Sequence, residues 1–242
     1  MKMKALHALL LAVAGLVTAV PAAAQAPAGP IGISPTGQPR SYAMRFQPYQ
    51  LQGYGRARFG MTLDEVKAAI AADYPGASAP KEDADLVTRT RTLMVVAPTL
   101  APGPGPATLS FVFGAQSHRL AAINVYWIAP GEATAQQREA IIAAGSQLLA
   151  GLVGSYWAPL STARGHVLAP GVVILFASRD AAGHGIEVRL DGVPLAVQRP
   201  ARDGKPRPLE RMPAPPGPAR LRLAISADPE HPDVFRLPAG SF

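Results

Sequence analysis

The chain has 242 residues, 48% hydrophobic and only 16% charged, with 26 prolines, 23 glycines and no cysteine. That content allows a substantial core within one large domain or two small ones, and predicts that much of the chain is turn or irregular. The missing cysteine excludes a disulfide framework and a lipid-bearing N-terminal cysteine, while the formal net charge of +7 raises the question of an anionic partner.

Residues 1–24 carry the three parts of a secretory signal peptide in order. Lys2 and Lys4 form a positive start, Leu9 to Val20 is apolar, and Pro21 breaks any helix before Ala22-Ala23-Ala24. The apolar run is shorter than the roughly 20 residues that a spanning helix needs, so cleavage after Ala24 is the expectation. Export would remove Lys2 and Lys4 and deliver a periplasmic or secreted protein with no further transmembrane segment. In that compartment a basic balance points to an anionic envelope surface or an envelope protein, and not to nucleic acid.

Residues 25–50, rich in Pro, Gly and Ser, read as a flexible lead-in. The α+β domain is then placed over 51–197, with helices packed on an antiparallel sheet. Its first helix starts at a T-x-x-E capping box, Thr62 to Glu65, with Met61 and Val66 spaced as a hydrophobic staple. Tyr74-Pro75-Gly76 ends it. After a polar turn around Lys81 to Asp85, strands are predicted over 88–97, 108–113 and 120–128. The last two alternate apolar and polar residues and are joined as a hairpin. A second capping pair, Thr134 and Gln137, opens a second helix. Its stripe is Ile141, Gly145, Leu148, Leu149 and Leu152, and Gly154 stops it. Strands over 171–178 and 185–190 follow. The order helix-then-strands therefore occurs twice, over 62–128 and 134–197, and suggests a duplication. From 198 to 242 the chain reads as a Pro-rich basic tail, largely disordered, in which Arg220 to Ile225 alternates like an edge strand.

The run Gly60-Met61-Thr62-Leu63-Asp64-Glu65-Val66, with the strands 108–113 and 120–126, resembles the SmpA/OmlA (BamE-like) envelope proteins and the similarly built β-lactamase-inhibitor-protein-like modules. Those share a G-M-[ST]-x-x-[DE]-V helix start and a hairpin ending in an L-x-x-I strand, here Leu120-Ala121-Ala122-Ile123. The resemblance covers residues 60–126 and implies a helical layer on a small antiparallel sheet that binds other envelope proteins. The chain departs from it in lacking the lipid-bearing cysteine, in the insertion Pro98 to Pro106, and in the second unit and basic tail.

Catalytic signals are wanting. The sequence has no G-x-S-x-G, S-x-x-K or H-E-x-x-H pattern. His118 and His184 fall in hairpin turns, and His166 reads as a strand-edge residue. The run Asp228-Pro-Glu-His-Pro-Asp233 could meet a cation, but two prolines and a terminal position read better as an acidic tail. Nothing calls for a cofactor. Tyr126, Trp127, Tyr156 and Trp157 are weighed as an aromatic platform, and Trp157 alone is kept as a binding candidate, beside Arg202, Lys205, Arg207 and Arg211 of the tail. The expectation is a non-catalytic binding module of the cell envelope. The alternative is an envelope glycan- or peptide-directed hydrolase with an unrecognised site.

Overall fold

The structure is a computed structural model and describes residues 48–197 and 210–236. The signal peptide and lead-in, up to residue 47, lie outside the described residues. In chain order the elements are β1 (Gly53–Tyr54), β2 (Ala57–Arg58), α1 (Leu63–Asp73), β3 (Lys81–Ala84), β4 (Arg91–Ala97), β5 (Ala107–Phe113) and β6 (Leu120–Ala129). There follow α2 (Ala135–Val153), β7 (Ala163–Ala169), β8 (Val172–Arg179), β9 (Gly185–Asp191), β10 (Leu195–Val197), β11 (Glu210–Met212) and β12 (Ala219–Ser226).

Both helix starts are made by the chemistry their sequences spell. The Thr62 hydroxyl accepts from the Glu65 amide while the Glu65 carboxylate accepts from the Thr62 amide, and Thr134 with Gln137 repeats the exchange. Each reciprocal pair satisfies two amides that a helix start leaves without intrahelical partners.

The α+β expectation is corrected by the sheet. Eight strands form one antiparallel sheet in the order β3-β4-β5-β6-β12-β9-β8-β7, beside helices of only 11 and 19 residues. The described chain is mostly β. Three strands that carry weak or misleading sequence signals account for the difference. β3 is Lys-Glu-Asp-Ala and fully exposed, so it has no apolar alternation and was expected to be turn. β7 is an exposed edge strand whose sequence, Ala-Arg-Gly-His-Val-Leu-Ala, lacks a buried face.

β12 is the largest correction. Expected at the edge, it lies in the middle, paired with β6 from Ala219↔Ala129 to Ser226↔Ala122 and with β9 from Arg220↔Asp191 to Ser226↔Gly185. Leu221 and Ala219 are fully buried, and Leu223 and Ile225 nearly so. A largely disordered tail from residue 198 onward is therefore corrected at 210–212 and 219–226, which form β11 and β12; residues 227–236 carry no helix or strand, and residues 198–209 and 237–242 lie outside the described residues. The second run of strands ends at residue 226, well past the 197 expected from sequence.

One face of the sheet holds the core. Leu93, Leu109, Phe111, Ile123, Val125, Trp127, Leu221, Val188 and Phe176 alternate inward from successive strands. Helix α2 runs against β6, β8, β9 and β12. Gly145 lets the helix come close to the sheet, since a Cβ there would lie 2.8 Å from Leu175 Cδ1 and 3.1 Å from Leu190 Cδ2. The loop before β5 seals Trp127, whose indole N–H donates to the Leu100 carbonyl at 2.8 Å.

Candidate functional site

Antiparallel strands expose alternate residues on opposite faces. With the core on one side, the other face presents the half-buried and exposed positions of every central strand. No described helix runs against it. Its register can be followed strand by strand. One row reads Val96, Thr108, Tyr126, Arg222, Arg189, Ile174 and His166 from β4 to β7. A second reads Ile128, Arg220, Asp191, Val172 and Ala169. A third contains Met94, Ser110, Asn124, Ala224, Glu187 and Ala177.

The centre of this face is polar and concentrated on β12 and β9. Arg222 forks onto the Asn124 side-chain oxygen at 2.9 and 3.2 Å, and its other terminal nitrogen lies 3.6 Å from Glu187. Arg189 forks onto Asp191 at 2.7 and 2.9 Å. Arg222 and Arg189 are direct cross-strand neighbours, an arrangement of like charges that disfavours pairing unless other groups offset it. Arg220 stands in register with Asp191, and its Nε is buried without a hydrogen-bond partner, the only such side-chain atom among the described residues. The flanks are apolar: Val96 and Ile128 are 42% and 44% exposed.

The residues singled out from sequence do not lie on this surface as a group. Trp157 is corrected from a binding residue to a core one. It is 6% exposed, its indole N–H donates to the Leu152 carbonyl at 2.9 Å, and its ring packs against Tyr49 and Phe176. Arg211 is exposed on β11 opposite Ala196, in the two-stranded excursion between β9 and β12. Arg202, Lys205 and Arg207 lie outside the described residues. Tyr126 draws notice in the sequence for its aromatic ring, whereas Arg189, Arg220 and Arg222 belong to no site motif there. The alternations Glu187-Val188-Arg189-Leu190-Asp191 and Arg220-Leu221-Arg222-Leu223 carried the signal; each places its charges on one face of a strand.

Other polar clusters are committed to holding the chain. Asp180, 2% exposed, accepts from the backbone amides of Leu51, Ala182 and His184 at 2.8, 2.9 and 2.9 Å, and its Oδ2 lies 3.0 Å from His184 Nδ1. Burial pushes its acidity down, but these hydrogen bonds outweigh that and hold the carboxyl below its ordinary pKa. The Ser178 hydroxyl bonds to the hydroxyls of both Ser161 and Thr162. In the C-terminal acidic run, Asp228 accepts from the Glu230 and His231 amides, Glu230 pairs with Arg179, and Asp233 accepts from the Gln116 and Ser117 amides. No group of His and carboxylate side chains converges as a metal site among the described residues.

The hollows lined by the described residues include one of about 260 Å³ at Leu63, Arg91, Phe113 and His118 and one of about 500 Å³ along the C-terminal segment at Gln116 and His231 to Arg236. Neither joins a hydroxyl nucleophile to a base. No helix among the described residues is long and apolar enough to cross a membrane. No protein-family model, curated protein or solved structure matches the chain.

Proposed function

We propose that the chain is an exported, non-catalytic binding module of the bacterial cell envelope, and that its working surface is the uncovered face of the eight-stranded sheet. The observation that carries this reading is the contrast between the two faces. One is sealed by a continuous core, and the other presents register-aligned Tyr, Arg and exposed apolar side chains with no described helix over them. Tyr and Arg beside exposed aliphatics are the composition of protein-binding surfaces. The N-terminal pattern of Lys2, Lys4, an apolar run and Ala22-Ala23-Ala24 supports export.

The test is position-resolved photo-crosslinking in intact cells. A photoreactive residue at Tyr126 or Ala224, both on the open face, is expected to give adducts. The same residue at Glu139, exposed on α2, is expected to give none. Equal adducts from both sides, or adducts from α2 alone, would refute the assignment of the face. The mass of the mature N-terminal peptide checks export independently; an intact Met1 would refute it.

A further inference from the structure

Resting on that reading, we propose that the open face takes an acidic protein segment, one carboxylate of which seats between Arg222 and Arg189. Three guanidiniums, those of Arg189, Arg220 and Arg222, meet two carboxylates, Asp191 and Glu187, on adjacent strands. Asp191 is held by Arg189 in a two-nitrogen fork, and Glu187 only reaches Arg222 at 3.6 Å. The nearest acceptor for Arg222 is the neutral Asn124 oxygen. The cluster is thus short of negative charge at its centre. The Arg220 Nε, buried and without a partner, adds to that deficit.

Placing two arginines directly opposite each other costs cross-strand stability, and an incoming carboxylate removes that cost while matching the planar fork of either guanidinium. The occupant is a protein and not a lipid surface for two reasons. Arg189 and Arg222 are each 33% exposed, recessed in the sheet, and β5, β6, β9 and β12 carry no lysine that could protrude to a headgroup layer. Tyr126, Ile128 and Val96 flank the cluster and give apolar side chains of a partner a place to be buried. Charge at the centre and apolar surface beside it fit an acidic loop or strand set in a protein surface.

The experiment pairs charge reversal with the Tyr126 crosslinker. In the wild-type background the adduct peptide is expected to contain Asp or Glu. The double variant Arg189→Glu/Arg222→Glu is expected to lower adduct yield at least tenfold, and the neutral Arg189→Gln/Arg222→Gln, which sets no like charges opposite each other, is expected to lower it too while remaining folded. Exchanging the partner's mapped carboxylate for Lys is expected to restore it in the charge-reversed variant. Separately, purified mature protein is titrated with a decaglutamate peptide and with phosphatidylglycerol vesicles. The side-chain N–H signals of Arg189 and Arg222 should move with the peptide, and the vesicles should leave the protein unbound. Undiminished adducts in the double variant, or an adduct peptide without Asp or Glu, would overturn the acidic partner and leave the face assignment standing. Vesicle binding that the double variant abolishes would assign the cluster to lipid headgroups and overturn the proposal. Absence of any open-face adduct in the wild type would overturn both.

Discussion

Replacing Asp180 with Ala isolates the energy of the turn that joins β8 to β9. Its carboxylate is 2% exposed and receives the Leu51, Ala182 and His184 amides together with the His184 ring. The Leu51 contact spans 129 residues, and Leu51 itself is 3% exposed, so water cannot replace the lost acceptor. Stranding that amide costs about 1–3 kcal/mol, and hydrogen bonds to a charged group contribute about 1.5–3 kcal/mol each. The Ala182 amide belongs to an exposed residue and recovers a partner from solvent, so the expected total is about 3 kcal/mol. For a chain of this size that lowers Tm by roughly 6–12 °C. Asp180→Asn, which keeps one acceptor oxygen, should lose about half as much. Urea unfolding at fixed temperature measures both. The pH dependence has a definite sign. A carboxyl whose folded pKa lies below its unfolded value stabilises fully above the unfolded pKa and ceases to do so as pH falls through the folded one. The gap between wild type and Asp180→Ala should therefore narrow as pH falls below about 4. A loss under about 1 kcal/mol, or a gap that persists unchanged in acid, would refute the clamp.

Arg138→Met should loosen the β10–β11 excursion more than the sheet. The guanidinium is nearly buried and donates to the carbonyls of Ala133, Gly192 and Gly217, the last two standing at the feet of that excursion. A loss of about 2–4 kcal/mol is expected, with amide exchange speeding at Leu195–Val197 and little changed at β5 and β6 until global unfolding. Gly103→Ala should displace the loop that covers Trp127, because a Cβ there would lie 1.8 Å from the indole Cδ1. The cost is about 1–3 kcal/mol, read as a changed tryptophan fluorescence maximum and a lower unfolding midpoint; an unaltered spectrum would count against the packing described.

The sequence spoke most plainly where the chemistry is local. A capping box occupies four residues, so Thr62 with Glu65 and Thr134 with Gln137 could be read directly and are formed as read. β5 and β6 were legible because Leu109, Phe111, Ile123 and Val125 alternate with polar or small neighbours. β3 was not, since Lys81 to Ala84 is held by pairing with β4 and by the ion pair of Glu82 with Lys67, and neither leaves a mark on composition. β12 was recognisable as a strand but not as a central one. Arg220 and Arg222 lend it the look of a solvated edge, and only the register against β6 and β9 brings them beside Tyr126 and Arg189. The candidate surface was hidden for the same reason. It is assembled from seven strands, each contributing two or three side chains, and no short window of sequence contains it. Trp157 misled in the opposite direction: a tryptophan before Pro159 in a loop looks available, yet Tyr49 and Phe176 close over its ring.

The central position of β12 also governs when the fold can exist. β6 and β9 have no direct pairing with each other; both pair with residues 219–226. Until that segment is delivered, the chain holds two separate sets of strands, each ending in an open hydrogen-bonding edge of the sort that invites wrong partners. Closure then requires contacts across about a hundred positions of chain, which makes it slow compared with the hairpins on either side. A polypeptide built this way stays incomplete until residues 219–226 are in place, however well the strands on either side have already paired.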